Sequence, residues 1–413
     1  MTILLIGHDA NRAGAQLVLL QLMRLLGKQG VKMHLLLGEG GPLLADYQAL
    51  APVTVWPADP VHVAGPLADK VLGKLGLWES RNRKQREIRQ TQIRQQLGLD
   101  SVDLVLVNTV TSGHWFGQLD IPKTTPVVTF VHELAMSVKM YTRPDELRYL
   151  LDHTTHMLAV SKATAAYYVE SHGFDPTKIT LFTLIDTPAL QQNVAKAQQA
   201  NQNVGTGDAL MRQLGIPPDA VVVGGCGNAE WRKGNDLFVN LARLVINLAP
   251  AAPIYFVWVG MPNGSYRDDL WLDVQKAWLT ERVHFLEPTP DVLRYMSRFS
   301  MFALTSREDP YPLVVLEAGL CGVPVVCFAG AGGSPELVEA DAGVVVPYLH
   351  LDGMALAIVA LANDPVKTKQ LGNRLREKIL DRHPAEQGVA VLLALFSKLT
   401  SERITTAPRT ESN

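Results

Sequence analysis

Asp309 and Glu317 are the side chains of this chain that most invite a chemical reading, because seven residues separate them across a change from loop to helix. Residues 301–305 form a short apolar run fit for a buried strand. Pro312 suits a first helical position, and Gly322 with Pro324 ends the helix before a second apolar run at 325–328. Ligands of an open parallel sheet bind beyond the carboxyl ends of its strands. Asp309 on the loop and Glu317 a turn or more into the helix can therefore reach one small molecule. The plainer alternative is that Asp309 caps the helix and Glu317 sits on a solvated face.

Two further turns carry chemistry of the opposite sign. After residues 325–328 comes Ala329-Gly330-Ala331-Gly332-Gly333-Ser334-Pro335-Glu336, a strand, a glycine-rich turn and a helix start. Ser334 is expected as the N-cap and Pro335 as the first helical residue. Gly332 and Gly333 let backbone N–H groups approach an anion, with phosphate the natural guest. The spacing is not the dinucleotide pattern G-x-G-x-x-G, and an ordinary flexible turn would look similar. Further upstream, Gly224-Gly225-Cys226-Gly227 leads to Arg232-Lys233-Gly234 and a helix from about Asp236. Arg232 suits bidentate phosphate contact and Lys233 supplies a point charge; the alternative is an exposed basic pair.

The elements that must hold these groups alternate along the chain. Strands are expected at 2–6, 33–37, 53–56, 104–107, 127–130 and 157–160, with helical stretches between them, and again at 220–224, 254–259, 283–285 and 301–305. Such alternation predicts doubly wound parallel sheets, here two α/β Rossmann-like domains facing a cleft. The first domain is expected over 1–187 and a polar connection, part of it helical and rich in Gln, Asn and Ala, over 188–207. The second domain follows over 208–383, then a helix at 384–400 and a flexible tail at 401–413.

With 413 residues and 47% apolar composition, two cores can be buried. Lys plus Arg (38) nearly balance Asp plus Glu (40), which argues against nucleic acid as the main partner. Cys226, Cys321 and Cys327 have no metal-ligand spacing and read as small core residues of a reduced protein. With no basic segment before the first strand and no apolar run near the ~20 residues that span a bilayer, the expectation is a soluble cytoplasmic protein. The basic stretch from Arg81 to Arg94 reads either as a solvated helix face or as peripheral contact with anionic lipid at the inner membrane face.

Asp309-x7-Glu317, followed by Ala-Gly-Leu-Cys-Gly-Val-Pro-Val-Val and Gly-Gly-Ser-Pro-Glu, resembles the E-x7-E region and following loop of the retaining glycosyltransferases of family 4. These enzymes have the two-domain GT-B fold, and the similarity runs through most of the chain. The resemblance implies transfer of a sugar from a UDP- or GDP-linked donor to a hydroxyl of a glycan or glycolipid, as in cell-surface polysaccharide synthesis. The nucleotide sugar would be a substrate, with no separate cofactor. It places His132, just past the strand at 127–130, beside the donor sugar, where a purely structural histidine is the alternative. It places Gly14, in the turn after the first strand, near the donor phosphates or the acceptor.

It also makes Glu317 a ribose contact and Asp309 a donor-sugar contact. Base selection would fall near residues 285–289. Two departures stand out. The family commonly carries an arginine five or six residues before the Lys-Gly, where this chain has Gly227 or Asn228, so Arg232 and Lys233 together are assigned to the diphosphate. Asp309 replaces the first glutamate and Pro310 and Pro312 replace glycines, which leaves the N–H groups of Leu313 and Val314 to meet the sugar; Glu308 is the substitute if the register slips by one. No Asp-x-Asp pair is present to hold Mg²⁺, so no metal is expected. A GT-B phosphorylase, a nucleotide-sugar epimerase and a non-catalytic sugar-binding protein are the rival readings.

Overall fold

The computed structural model describes residues 1–57, 77–202 and 206–406. It divides into two compact units. Unit 1 takes Met1–Ala159, Val169–Leu184 and Gly388–Asn413, and unit 2 takes Val160–Tyr168 and Ile185–Gln387. The expected fold class is observed: each unit is a wholly parallel α/β sheet with helical crossovers.

Among the described residues, unit 1 has seven strands, β1 (Thr2–Gly7), β2 (Lys32–Leu37), β3 (Val53–Val55), β4 (Leu104–Asn108), β5 (Val127–Val131), β6 (His156–Ala159) and β7 (Ile179–Leu181). Their order is β3-β2-β1-β4-β5-β6-β7. Ile3 to Ile6 are fully buried, as a continuous apolar run must be when helices cover both faces of the sheet. Unit 2 has β8 (Val221–Cys226), β9 (Ile254–Val259), β10 (Val283–Leu286), β11 (Met301–Leu304), β12 (Val325–Phe328) and β13 (Gly343–Val346), in the order β10-β9-β8-β11-β12-β13. In β11 the period of two is explicit. Met301 and Ala303 join the core layer that contains Phe238, Phe256 and Phe328, while Phe302 and Leu304 join the opposite layer with Leu316 and Leu375.

Each sheet reverses its strand order once, between β1 and β4 in unit 1 and between β8 and β11 in unit 2. Such reversals open a crevice at the carboxyl ends of the strands, where the candidate residues cluster.

Several expectations shift. The connection read at 188–207 is part helix, as expected, with the helix Thr187–Gln202 more deeply packed than a polar composition suggests. Val194 and Ala197, three positions apart, give it a buried stripe, and Asn201 donates to the Arg294 carbonyl and to Ser297. The last helix, Ala385–Thr406, runs past residue 400, and residues 407–413 lie outside the described residues. The strands β7 and β13 were not expected.

The basic stretch lies in the helix Leu77–Leu97. The side chains of residues 81–86 are outside the described residues; beyond them, Arg94 pairs with Asp120 at 3.3 Å and Arg89 donates to the Pro57 carbonyl at 3.2 Å. Among the described residues, no helix is long and apolar enough to cross a membrane.

Candidate active site

In unit 2 three loops converge, one after each of β8, β11 and β12. The first closes with a short 3₁₀ turn, Trp231–Lys233, ended by Gly234 at φ 71°. Glycine is required there on two counts: the backbone is left-handed, and a Cβ would overlap the Thr305 carbonyl oxygen at the end of β11. Thr305 Oγ1 donates back to the Gly234 carbonyl at 2.9 Å, locking the first loop to the second. The Arg307 N–H donates to the Arg232 carbonyl at 2.8 Å, and the Arg307 guanidinium grips Asp236 with two hydrogen bonds (2.8 and 2.6 Å) while lying 4.2 Å over the Trp231 ring.

This framework aims the basic pair. Lys233 Nζ lies 2.6 Å from Asp309 Oδ2, and Arg232 donates to the Glu308 carbonyl (2.9 Å) and to Glu230 (2.8 Å). Asp309 is buried and pairs with Lys233, whereas Glu308 is half-buried and meets Arg232 through its carbonyl. Asp309 also meets the third loop through its backbone: its N–H donates to the Ala331 carbonyl at 2.6 Å, and it forms a parallel bridge with Gly332. Gly332, at φ 138°, has its missing Cβ position filled by the Asp309 carbonyl. The sequence-predicted Lys233, Asp309 and Gly332 thus come together.

The details of the two helix starts differ from expectation by one residue. Pro312 is the N-cap and Leu313 the first residue of Leu313–Leu320. The N–H groups of Leu313 and Val314 lie in a first turn that has no intrahelical acceptors and no side-chain cap. Gly333, not Ser334, is the N-cap of the five-residue helix Ser334–Val338. The cause is the close approach to Pro310: the Gly333 N–H donates to the Pro310 carbonyl at 3.0 Å and is engaged there rather than open to an anion. Ser334 Oγ is buried without a partner among the described residues.

Glu317 stands at the second turn of its helix with no hydrogen bond or ion pair to its carboxylate among the described residues. Burial pushes its pKa up to about 7. Glu336, which the sequence did not single out, accepts the N–H groups of Lys162 and Ala163 at 2.9 and 2.8 Å, at the start of the helix Lys162–His172. Ser161 caps that helix, receiving the Thr164 N–H at 3.1 Å. Of the base-selection segment, Phe285 is buried in the core.

In unit 1 a separate cluster forms at the ends of β1, β4 and β5. His132 Nε2 lies 3.1 Å from Asn108 Oδ1. Asn108 Nδ2 donates to the Ala15 carbonyl, so its Oδ1 is the acceptor. The ring therefore carries its proton on Nε2 and presents Nδ1 as an acceptor. Burial, then the neighbouring His8, pushes the His132 pKa down to about 3, so the ring is neutral. Glu133 receives the N–H of His132 at 2.9 Å; burial pushes its pKa up to about 7. His8, Asp9 and Gln16 complete the cluster through hydrogen bonds of 2.6 and 2.9 Å.

Sequence reasoning missed Asn108, Glu133 and this trio; their place at the point of strand reversal was the available signal. Gly14 opens the helix Gly14–Lys28, and a Cβ there would meet nothing within 4 Å, so no crowding within the chain demands glycine. Among the described residues no three His, Cys, Asp or Glu side chains are placed to share a metal ion.

Two parallel α/β units with loops of this kind are the architecture of GT-B proteins. The chain resembles Anabaena Alr3699/HepE, whose structure was solved with UDP, with a TM-score of 0.75 and 20% identity, covering 96% of this chain and 100% of that one. It likewise resembles WaaG, a glycosyltransferase involved in lipopolysaccharide biosynthesis (TM-score 0.63, 13% identity, 93% and 96% covered). Residues 12–182 match the model of Glycosyltransferase Family 4, and residues 217–364 that of Glycosyl transferases group 1.

Residues 12–182 thus carry a glycosyltransferase family 4 domain and residues 217–364 a group 1 glycosyltransferase domain. Among relatives, the D-inositol 3-phosphate glycosyltransferase of Rhodococcus erythropolis is 27% identical over 207 residues, 49% of this chain and 44% of the relative. The lipopolysaccharide core biosynthesis mannosyltransferase LpcC of Rhizobium leguminosarum is 27% identical over 193 residues, 45% and 53%. The chain spans about half the length of these relatives.

Proposed function

We propose that this protein is a retaining, metal-independent glycosyltransferase that moves a sugar from a nucleotide-diphosphate donor to a hydroxyl of a glycan or lipid-linked acceptor. The observation that carries this reading is the meeting of Lys233, Asp309 and Gly332 where β8, β11 and β12 end. HepE, the structural relative solved with UDP, makes a uridine donor the first choice.

Cleaving the bond from sugar to phosphate leaves negative charge on the diphosphate and positive charge on the ring. Lys233, with N–H bonds beyond the one to Asp309, and Arg232 neutralise the diphosphate, and the effect is largest as charge develops. The amides of Leu313 and Val314 with Asp309 meet the sugar hydroxyls. Glu317, whose carboxylate lacks a partner among the described residues, accepts from the ribose hydroxyls. His132 offers its bare Nδ1 to a hydroxyl of the donor sugar, and Gly14 leaves room for the donor phosphates. Retention follows if the leaving phosphate takes the acceptor's proton on the face from which it departs. The donor's chemistry makes the cytoplasm the place of action, and the basic charge of the stretch Arg81–Arg94 favours peripheral contact with an anionic membrane, a solvated helix face being the alternative.

A thermal-shift screen of UDP, GDP, ADP and CMP with their sugar conjugates tests the donor site. Stabilisation by one nucleotide, lost in Lys233→Ala, is expected; stabilisation undiminished by that substitution rejects the diphosphate assignment. Product analysis with and without acceptor separates a transferase from a phosphorylase or an epimerase. Proton NMR of the product's anomeric centre reads retention, unchanged activity in a chelator reads metal independence, and co-sedimentation with anionic liposomes reads membrane contact.

A further inference from the structure

Unit 1 holds a cavity of about 600 Å³ that none of the residues discussed above lines except Arg89. Its volume falls inside the range of ~300–1,000 Å³ usual for small-molecule sites. Three walls come from the loops after β3, β4 and β5, and the fourth from the helix Leu77–Leu97.

The lining is of two kinds. Trp56, just past β3, and Tyr149, on the helix Pro144–His153, supply aromatic surface. Tyr149 is held as a platform: its ring lies 4.1 Å from His153 and 6.0 Å from Phe116, yet the residue is 37% exposed. Gly117 keeps that ring uncovered. A Cβ at 117 would stand 3.8 Å from Tyr149 Cδ1, so any longer side chain would spread over the edge of the ring.

The lining also carries planar polar groups with unused capacity. Glu146 Oε1 accepts from His114 Nδ1 at 2.8 Å, which leaves Oε2 without a partner among the described residues. Gln90 Nε2 donates to Gln118 Oε1, leaving the Gln118 amide N–H groups and Gln90 Oε1 likewise open.

The charges balance. Arg89 and Arg143 face Asp145 and Glu146, and Arg143 lies 3.7 Å from both acids. A phosphate or carboxylate guest would find no net positive field here. An uncharged polyhydroxyl ring finds what it needs, since each hydroxyl both donates and accepts and the C–H face of a pyranose packs on an aromatic ring.

The cavity also belongs to the same loops as the His132 cluster. The stretch after β4 carries Asn108 and then Gly113–Gly117; the stretch after β5 carries His132 and then Arg143–Tyr149. The Val110 N–H reaches Glu133 at 3.4 Å and ties the two stretches together. A guest held in the cavity is thus carried by the loops that carry His132.

We propose that this cavity binds a neutral pyranose ring of the acceptor, with Tyr149 and Trp56 as stacking surfaces and Glu146, Gln90 and Gln118 reading its hydroxyls. The role of the guest as acceptor rests on the glycosyltransferase reading above; binding of the ring itself does not.

The experiment is saturation-transfer NMR on the full chain with the methyl glycosides of glucose, galactose, mannose and N-acetylglucosamine, each with and without UDP. It is repeated for Tyr149→Ala, which removes the platform, and for Gly117→Leu, which covers it while leaving Tyr149 in place. At least one glycoside should receive saturation from the wild-type chain, and each substitution should weaken its binding about tenfold, the order set by one lost aromatic contact. Circular dichroism confirms that each variant is folded.

Absence of transfer to all four glycosides overturns the proposal, as does transfer that survives both substitutions. The UDP thermal shift, read on the same samples, answers for the donor reading. Its absence with glycoside binding intact removes the acceptor role but keeps the sugar site, whereas its presence without glycoside binding removes the sugar site alone.

Discussion

Lys233 and Asp309 form an ion pair of 2.6 Å at the carboxyl ends of adjacent strands, with their side chains only 16% and 7% exposed. One is the cation expected to meet the diphosphate, the other the carboxylate expected to meet the sugar. Before any donor arrives they satisfy each other, so the pair is a framework as well as a binding surface.

Lys233→Ala should therefore cost stability as well as nucleotide binding. Removing one partner of a buried pair leaves an uncompensated charge, on the order of 3 kcal/mol. Urea denaturation of Lys233→Ala, Asp309→Asn and the double variant checks this. The double variant should recover most of the lost stability but none of the UDP thermal shift, which would separate the two roles of Lys233.

Glu317 gives a pH signature. Its folded pKa of about 7 lies above the unfolded value near 4.5 because burial disfavours the charge. Between these values the folded state holds the proton more tightly. The carboxylate thus lowers stability progressively as pH rises from about 4.5 to 7, and the cost is fully present above that. Glu317→Gln should be more stable than the wild-type chain by roughly 2 kcal/mol at pH 8 and about equal to it at pH 4. Paired chemical denaturation at the two pH values checks this. The same substitution should weaken UDP binding.

His132 behaves oppositely. Its pKa of about 3 lies below the ordinary 6.5, so its stabilising contribution is complete above 6.5 and is lost as pH falls towards 3. A group neutral through the working range sets no limb of the pH–rate profile near neutrality. Asn108→Ala frees the tautomer and should lower kcat about tenfold while leaving the UDP shift unchanged, the behaviour of a positioning residue.

The glycines separate structure from binding. Gly234→Ala and Gly332→Ala place a Cβ on a carbonyl oxygen at positive φ and should destabilise the chain by more than about 2 kcal/mol. Gly14→Ala meets open space and should be neutral or slightly stabilising, since alanine favours a helix. Weaker donor binding by Gly14→Ala with unchanged stability would assign Gly14 to the ligand.

Much of this was legible in the sequence, for physical reasons. Buried parallel strands are continuous apolar runs, so β9 (Ile254–Val259) and β12 (Val325–Phe328) were found with their exact ends. Gly322 declared the end of its helix through the left-handed backbone that glycine accepts. The caps Pro312 and Gly333 escaped by one residue because tertiary approach of Pro310 to Gly333, not local preference, sets where the short helix begins. Asn108 and Glu133 escaped because a buried amide and carboxylate look like any polar residue until strand order is known. The bridge between residues 309 and 332 escaped because nothing local announces a contact across twenty-three positions.

That bridge divides the corner into fixed and exchangeable parts. Its bonds are made by peptide groups, so the course of the chain there does not depend on which side chains decorate positions 308, 313 and 314. Engineering of sugar preference can begin with libraries at those three sites, leaving Gly332 and Gly333 untouched.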